Sequence, residues 1–228
     1  MSVAQKMRMG AAGKPTPVKL DGTTFDTLTD GAFPFNYSNS YPAGTFIVVV
    51  VTARENDSVT GVWDSVVDSE GNTFTLAIQG SQINDLTFSA VWFCVLSNPV
   101  TSSTTITAST STTLVAFGRH GSVFVLETVS DAENTVSSPH EGAPVVATSS
   151  TVSGSGIAFH VVSTGFSSGP SVVSVSSDFA LQVESRSSGC SQYIATSVVD
   201  KSPSAGVSNS LELSTTGGRY ANLMAIFE

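Results

Sequence analysis

The chain has few charged residues and few residues that favour helices. Only 12% of its 228 residues are charged, against roughly 25% in an average soluble domain. Ser and Thr, roughly a quarter of the chain, supply polarity in place of charge. Lys, Glu and Gln, which favour helices, are scarce, whereas Val and Thr favour strands and Gly and Ser favour turns. The composition therefore excludes a mainly helical protein and predicts an all-β fold.

Long apolar runs and paired cysteines are also lacking. The most apolar run, residues 46–51, has six residues, whereas a membrane-spanning helix needs about 20. The first 20 residues contain no continuous apolar stretch of the kind found in a secretory signal peptide. The two cysteines, Cys94 and Cys190, have no basic neighbour in sequence, so we expect free, unreactive thiols made in a reducing compartment. Cys190 follows Gly189 and is expected in a turn. No membrane association and no export are expected.

Basic residues are scarce and unevenly placed. Of the nine Lys and Arg residues, four lie in the first 20 residues, which contain no acid, while the rest of the chain holds 18 acidic residues. An acidic body repels phosphates, which argues against a nucleic-acid partner. A basic segment of this kind is a flexible tail or an arm that docks on an acidic partner. We expect an extended arm over residues 1–20, with these candidate partner-binding residues: Lys6, Arg8, Lys14 and Lys19.

Short apolar or alternating runs follow one another from residue 45 to the end. The stretch 86–96 alternates most clearly, with Phe88, Trp92 and Cys94 among the residues of a face expected in the core. In residues 73–79 the same pattern places Phe74, Leu76 and Ile78 on one face. The run 45–53 is a continuous apolar strand, which is expected in the middle of a sheet. The other predicted strands are 104–108, 114–117, 123–128, 144–148, 156–162, 171–175, 180–185, 192–198, 211–213 and 220–227. No stretch keeps a helical period over three turns.

Strands at this spacing predict an antiparallel β-sandwich, either jelly-roll or immunoglobulin-like. No linker interrupts them, so residues 21–228 are expected to form a single sandwich domain behind the arm. The alternative is a subdivision near residues 137–142, which would give two small β modules.

Motifs that carry chemistry are weak in this chain. Residues 165–169 match the G-x-S-x-G string of a nucleophile elbow, but a β-like run follows where a helix is required, so Ser167 is interpreted as part of a turn. His120, His140 and His160 are too widely spaced for a metal motif. His160 lies in an apolar strand, where it either faces outward or is a hydrogen-bonded core residue, and His140 is interpreted as a loop residue after Pro139. No catalytic residue, metal or cofactor is predicted, and the protein is not expected to be an enzyme.

Four oxygen-bearing side chains lie within nine residues: Asp64, Asp68, Glu70 and Asn72. Calcium takes such ligands, but the spacing fits no EF-hand, and the D-S-E-G-N stretch is typical of a hairpin turn, the preferred interpretation.

Aromatic residues suggest one further kind of site. Tyr37, Tyr41 and Trp63 could form a platform on which a sugar ring stacks; the alternative, which we favour, is that this loop folds down onto the edge of the sandwich.

Several stretches together resemble a module found in phage virion proteins and bacterial surface proteins. They comprise the apolar strand at 46–51, the D-S-x-G-N-T-[YF]-T hairpin at 68–75, and the strands at 91–93, 104–107, 125–127 and 223–227. The resemblance covers most of residues 44–228 and implies a β-sandwich without catalytic residues. Because a signal peptide is absent and a basic arm is present, the phage setting is favoured over the secreted one.

The resulting expectation is a virion structural protein, made in the host cytoplasm. It would be a capsid decoration (cement) or fibre-type protein, bound to the major capsid or another virion protein through its arm and sandwich edges, and forming a homo-oligomer. The alternative is a carbohydrate-binding adhesion module on a virion or cell surface. Edges of β-sheets and arms suit assembly, because both can pair across subunits.

Overall fold

The computed structural model describes residues 18–26, 32–55, 62–82, 87–110, 116–126, 132–141, 145–151, 156–165, 170–187, 189–199, 206–214 and 219–227. The described part of the chain contains sixteen strands and no helix. They are β1 (Val18–Asp26), β2 (Phe33–Asn36), β3 (Phe46–Glu55), β4 (Trp63–Asp68), β5 (Thr75–Gln82), β6 (Thr87–Val95), β7 (Thr105–Thr110), β8 (Ala116–Leu126), β9 (Ala132–Glu141), β10 (Val145–Thr151), β11 (Gly156–Thr164), β12 (Val172–Val175), β13 (Ala180–Ser187), β14 (Cys190–Val199), β15 (Gly206–Leu213) and β16 (Arg219–Phe227). The predicted all-β class is therefore confirmed.

The strands form four antiparallel sheets. The N-inner sheet has the order β1-β8-β3-β6-β5 and the N-outer sheet the order β2-β7-β4; both come from the first half of the chain. The second half forms the C-inner sheet, β13-β14-β11-β16-β9, and the C-outer sheet, β10-β15-β12. We call β1–β8 the N-terminal unit and β9–β16 the C-terminal unit.

Three apolar layers hold the four sheets together. One layer lies between the N-outer and N-inner sheets and includes Trp63 and Trp92. A second lies between the two inner sheets, where Val48 and Val50 of β3 pack with Phe159 and Val161 of β11. The third, between the C-inner and C-outer sheets, is divided into two clusters. The inner sheets are therefore buried on both faces and the outer sheets on one.

This layering explains the composition of the central strands. β3 is the middle strand of its sheet and six of its residues in a row, Phe46 to Val51, are buried. A strand covered on both faces requires a continuous apolar run rather than alternation. β16 follows the same rule, because its residues 220–227 are all buried.

The alternating face predicted for residues 86–96 is confirmed in the described part of the strand, since Phe88, Trp92 and Cys94 all face the N-terminal core. The face predicted for residues 73–79 is only partly right. Phe74 and Leu76 pack in that core, but the register of β5 against β6 shifts between Leu76 and Ile78. This β-bulge turns Ile78 toward the other inner sheet.

Other predicted boundaries also differ from the structure. The described parts of the runs 114–117 and 123–128, residues 116–117 and 123–126, belong to one strand, β8, in which Gly121 allows a close approach of Phe33 and Phe35. β1, β2, β4 and β9 were not predicted. Residues 18–20, assigned to the arm, begin β1, and residues 137–141, considered as a break, lie inside β9. The change from one unit to the other falls between Leu126 and Ala132.

Candidate functional site

The hairpin between β4 and β5 is held by one carboxylate. Asp68 is buried, and its Oδ1 accepts hydrogen bonds from the backbone N–H groups of Glu70 (3.0 Å) and Asn72 (2.9 Å). Its Oδ2 accepts from Asn72 Nδ2 (2.8 Å) and from the hydroxyl of Tyr37 (3.2 Å). Gly71 completes the turn at φ +85°, a conformation that costs glycine little.

Asn72 extends this network to the next loop. Its Oδ1 accepts from the backbone N–H groups of Ser97 (2.8 Å) and Asn98 (2.9 Å), and its Nδ2 also donates to the carbonyl of Asn98. The oxygens of Asp68 and Asn72 therefore accept hydrogen bonds from donors within the protein, and the predicted hairpin turn is present. Among the described residues, no group of three or more His, Cys, Asp or Glu could hold a metal ion.

The aromatic cluster lies mostly inside the protein. Trp63 is 1% exposed and its ring lies against Phe33 and Phe88, with centroids 6.4 Å and 5.4 Å away. Tyr37 is 2% exposed and packs edge-on against Tyr41, which is half-buried. A sugar ring needs an exposed aromatic face, and neither Trp63 nor Tyr37 offers one. The loop is folded onto the sandwich, as the favoured interpretation predicted.

The chain that follows the predicted arm is fixed to this cluster. Asp21 of β1 accepts hydrogen bonds from the backbone N–H of Ser38 (2.7 Å), from Asn39 Nδ2 (2.7 Å) and from the hydroxyl of Tyr41 (2.5 Å). Lys19 is exposed two residues earlier, and its Nζ lies 6.0 Å from the Tyr41 ring centroid. Burial and the bond to Asp21 raise the pKa of Tyr41, so it stays a neutral donor. Lys6, Arg8 and Lys14 lie outside the described residues.

His160 is a buried core residue of the C-terminal unit. Its Nδ1 accepts from Asn209 Nδ2 (2.7 Å) and its Nε2 donates to Asn222 Oδ1 (2.8 Å). This is one of the two environments that the sequence left open for it. His140, interpreted from the sequence as a loop residue, lies instead in β9 opposite Tyr220.

His120 occupies the boundary between the inner sheets, and its role was missed from sequence. Its Nδ1 lies 3.0 Å from Ser185 Oγ, and its Nε2 lies 3.1 Å from the carbonyl oxygen of Cys190 and 3.0 Å from Ser187 Oγ. A carbonyl only accepts, so Nε2 carries the proton and Nδ1 accepts from Ser185. Burial lowers the pKa of His120 to about 4.

The Ser185–His120 pair resembles part of a catalytic triad, but its chemistry differs. An activated serine needs a base that accepts its proton and an acid that orients that base. Here the orienting position is held by a neutral carbonyl, and the lowered pKa makes His120 a poor base near neutral pH. The arrangement instead joins the two units, because β8 supplies the histidine and β13 and β14 its partners.

This burial makes the stability of the protein sensitive to acid. Between pH 6.5, the ordinary pKa of histidine, and about 4, the unfolded chain binds a proton at His120 that the folded chain does not. The free energy of unfolding should therefore fall by about 3 kcal/mol as the pH falls through that window. Urea titrations at several pH values would measure the slope.

The matched variant is His120→Gln, which removes the titrating group but keeps a polar side chain. The readout is the slope of its free energy of unfolding against pH between pH 6.5 and 4, and not its stability at pH 7. This slope should be shallower than that of the unchanged protein. Parallel slopes for both proteins would show that His120 does not contribute to acid sensitivity.

A row of hydroxyl and amide groups continues from His120 along the boundary between the inner sheets. Gln192 of the C-inner sheet donates from Nε2 to Thr52 Oγ1 (3.0 Å) and accepts at Oε1 from Ser122 Oγ (2.6 Å). Ser89 lies within hydrogen-bonding distance of Thr52 (2.9 Å) and of Ser163 (2.7 Å). We call these five residues the polar seam. All are buried, so their mutual bonds replace those lost to water.

The two cysteines lie in different units of the structure. Both cysteines are free and buried, and burial raises the pKa of each thiol to about 12, which keeps them protonated. Cys190, expected in a turn, begins β14 directly after Gly189, which has φ +100°. Ser167 lies outside the described residues.

Comparisons with known proteins add no assignment. No protein-family model, curated protein or solved structure matches the chain. In the part of the chain that is described, no helix is long and apolar enough to span a membrane.

Proposed function

We propose that this protein is a non-catalytic virion structural protein of the capsid-decoration or fibre type. It would bind the major capsid or another virion protein through the basic N-terminal arm and the free sheet edges, and carry its sandwich on the particle surface. The observation that carries the proposal is the position of β1, which begins at Val18 within the predicted arm and forms an edge of the N-inner sheet.

The structure around β1 supports the arm as an attachment element. The three hydrogen bonds that Asp21 accepts hold β1 against the segment that contains Ser38, Asn39 and Tyr41. The arm is therefore joined to the sandwich at a firmly held strand. Lys19 is exposed beside this anchor. An edge strand has unpaired backbone groups that can add a strand from another subunit.

The strand order supports the jelly-roll alternative for the fine fold class. In the N-terminal unit β1 pairs with β8, β2 with β7 and β3 with β6, and an isolated bridge joins Val67 at the end of β4 to Thr73 just before β5. This nesting of antiparallel pairs is the connectivity of a rolled-up hairpin, as in jelly rolls. Jelly rolls are frequent in viral capsid proteins and in lectins, but a fold alone assigns no role.

Removing the arm should separate attachment from folding. A variant that lacks residues 1–17 keeps β1 and its Asp21 anchor, so its thermal unfolding should match that of the full chain. Its incorporation into particles of the phage that carries the gene should fall at least about tenfold, the loss expected for three ion pairs of about 0.5 kcal/mol each. Quantitative immunoblotting of purified particles would measure it.

Two further variants identify the cause. Lys6, Arg8 and Lys14 replaced together by Gln keep the length of the arm and should lose incorporation if charge is responsible. Arg186→Gln neutralises an exposed cation of the body and should leave incorporation unchanged. Normal incorporation of a folded chain without its arm contradicts attachment through the arm.

The carbohydrate alternative is weakened by the burial of Trp63 and Tyr37, and only Tyr41 keeps an exposed part of its ring near the surface. Binding to a glycan array that is lost on Tyr41→Phe or Tyr41→Ala would favour this alternative over the assembly role.

A further inference from the structure

The two units have the same topology, strand for strand. Counting eight strands forward converts the N-inner order β1-β8-β3-β6-β5 into β9-β16-β11-β14-β13, which is the C-inner sheet. The same shift converts β2-β7-β4 into β10-β15-β12, the C-outer sheet. All eight strand positions agree.

The pairing registers repeat as well. Val18 pairs with Leu126 at the start of β1, and Ala132 pairs with Phe227 at the start of β9. In the central strands, Thr52 is opposite Ser89 and His120, whereas Ser163 is opposite Gln192 and Ala221. Position by position, therefore, Thr52 corresponds to Ser163, and Ser89 corresponds to Gln192.

The contacts between the inner sheets exchange these corresponding residues. Ser89 of the N-terminal unit bonds to Ser163 of the C-terminal unit, and Gln192 of the C-terminal unit bonds to Thr52 of the N-terminal unit. Each bond is converted into the other when the units are interchanged. In the middle of the sheets the strand contacts follow the same exchange, because β6 lies against β16 and β11, and β14 lies against β8 and β3. At the edges they do not: β5 lies against β16 and β9, whereas in the described residues β13 makes no contact of that extent with β8 or β1.

A contact in which residue i meets j and the equivalent of j meets the equivalent of i is isologous, the arrangement of a two-fold homodimer. From this we infer that the face of the inner sheet is a self-association surface whose partner is a second copy of the same eight-stranded unit. In this chain the second copy is supplied by duplication within one polypeptide. The inference does not depend on the virion role.

Within the polar seam, one pair of residues departs from the symmetry and provides the test. Ser122, paired with Val50, corresponds to Leu223, paired with Val161. The polar pair Ser122–Gln192 on one side of the axis thus corresponds to Leu223 and Ser89 on the other side. If a two-fold axis relates the two units, the polar pair can be moved to the equivalent positions without a net change in the volume or the polar groups buried between the inner sheets.

The exchange variant carries Ser89→Gln, Leu223→Ser, Gln192→Ser and Ser122→Leu in the full chain. One half of the exchange is Ser89→Gln with Leu223→Ser, and the other half is Gln192→Ser with Ser122→Leu. Either half alone changes the volume and polarity of the seam and should lower Tm by about 5 °C or more. The full exchange restores both, so its Tm should return to within about 3 °C of the unchanged protein.

The control variant keeps the same amino-acid composition, but the positions that it exchanges are not related by the two-fold axis. Ser163→Gln with Gln192→Ser exchanges two neighbours that lie opposite each other in one sheet, and it should keep the full loss in Tm. A full exchange no more stable than this control, or one that does not fold, overturns the inference.

A circular permutant tests the same symmetry without altering the seam. Five residues separate Leu126 from Ala132, and the two-fold axis relates that gap to the one between Phe227 and Val18. A chain that begins at residue 128 and joins Phe227 to Val18 through five Gly/Ser residues should fold as a monomer with an unchanged far-UV spectrum. A permutant that folds only with a much longer linker would contradict the two-fold relation between the units.

Discussion

Replacing Asp68 by Ala is expected to destabilise the N-terminal unit by about 4 kcal/mol. The carboxylate satisfies four donors, and two of them, the Tyr37 hydroxyl and the side-chain amide of Asn72, belong to buried side chains. A buried donor left without a partner costs about 1–3 kcal/mol. The backbone N–H groups of Glu70 and Asn72 lose their acceptor as well, which frees the turn. This loss is a large part of the 5–15 kcal/mol that stabilises a typical domain.

Urea unfolding followed by tryptophan fluorescence would measure this loss directly. The chain has two tryptophans, Trp63 and Trp92, and both lie in the core of the N-terminal unit, so the signal reports that unit. Asp64→Ala is the matched control, because Asp64 is an exposed carboxylate four residues earlier in the same strand. It should change stability by less than about 0.5 kcal/mol. Equal losses for the two variants would contradict the role of Asp68 as the centre of the network.

Trp63→Ala should cost about 3–5 kcal/mol, through packing and not through lost ligand binding. The side chain is almost fully enclosed between Phe33 and Phe88. Truncating a buried tryptophan removes its contacts and leaves a cavity, which accounts for a loss of this size. The remaining fluorescence of Trp92 would report the shift of the urea midpoint.

The neighbouring residue provides the control for this substitution. Val62 is 38% exposed, so Val62→Ala should change stability by no more than about 0.5 kcal/mol. A Trp63→Ala variant of normal stability that loses binding on a glycan array would reverse the interpretation and restore the ligand platform.

Local patterns predicted the elements whose environment is uniform along the strand. The run 46–51 indicated a central strand, and it is one, because a strand covered on both faces needs apolar residues at every position. The alternation from Phe88 to Cys94 identified the core face of β6 for the same local reason. The D-S-E-G-N stretch indicated the turn because its bonds are made within five residues.

Long-range partners decided the elements that sequence patterns missed. Residues 118–122 have the composition of a turn, yet they lie inside β8, where Arg119 is buried. Its guanidinium bonds to Asp26 (3.0 Å), 93 residues away in the sequence, and to the carbonyl of Ala32 (3.3 Å). A buried charge is tolerated only with such partners, and nothing near Arg119 in the sequence indicates them.

The sequence by itself determined the all-β class, the central strands and the main hairpin of this protein, because composition, periodicity and turn chemistry act over a few residues. It also indicated the basic arm, whose charges are adjacent in the chain. The tertiary structure alone decided that two eight-stranded units meet face to face through their inner sheets, and that His120 and the polar seam lie between them. The physical reason is that side chains such as Ser89 and Gln192 resemble surface residues until a second sheet covers them. Their hydrogen-bond partners come from the other unit, at separations of 74 and 140 residues, which no local pattern encodes.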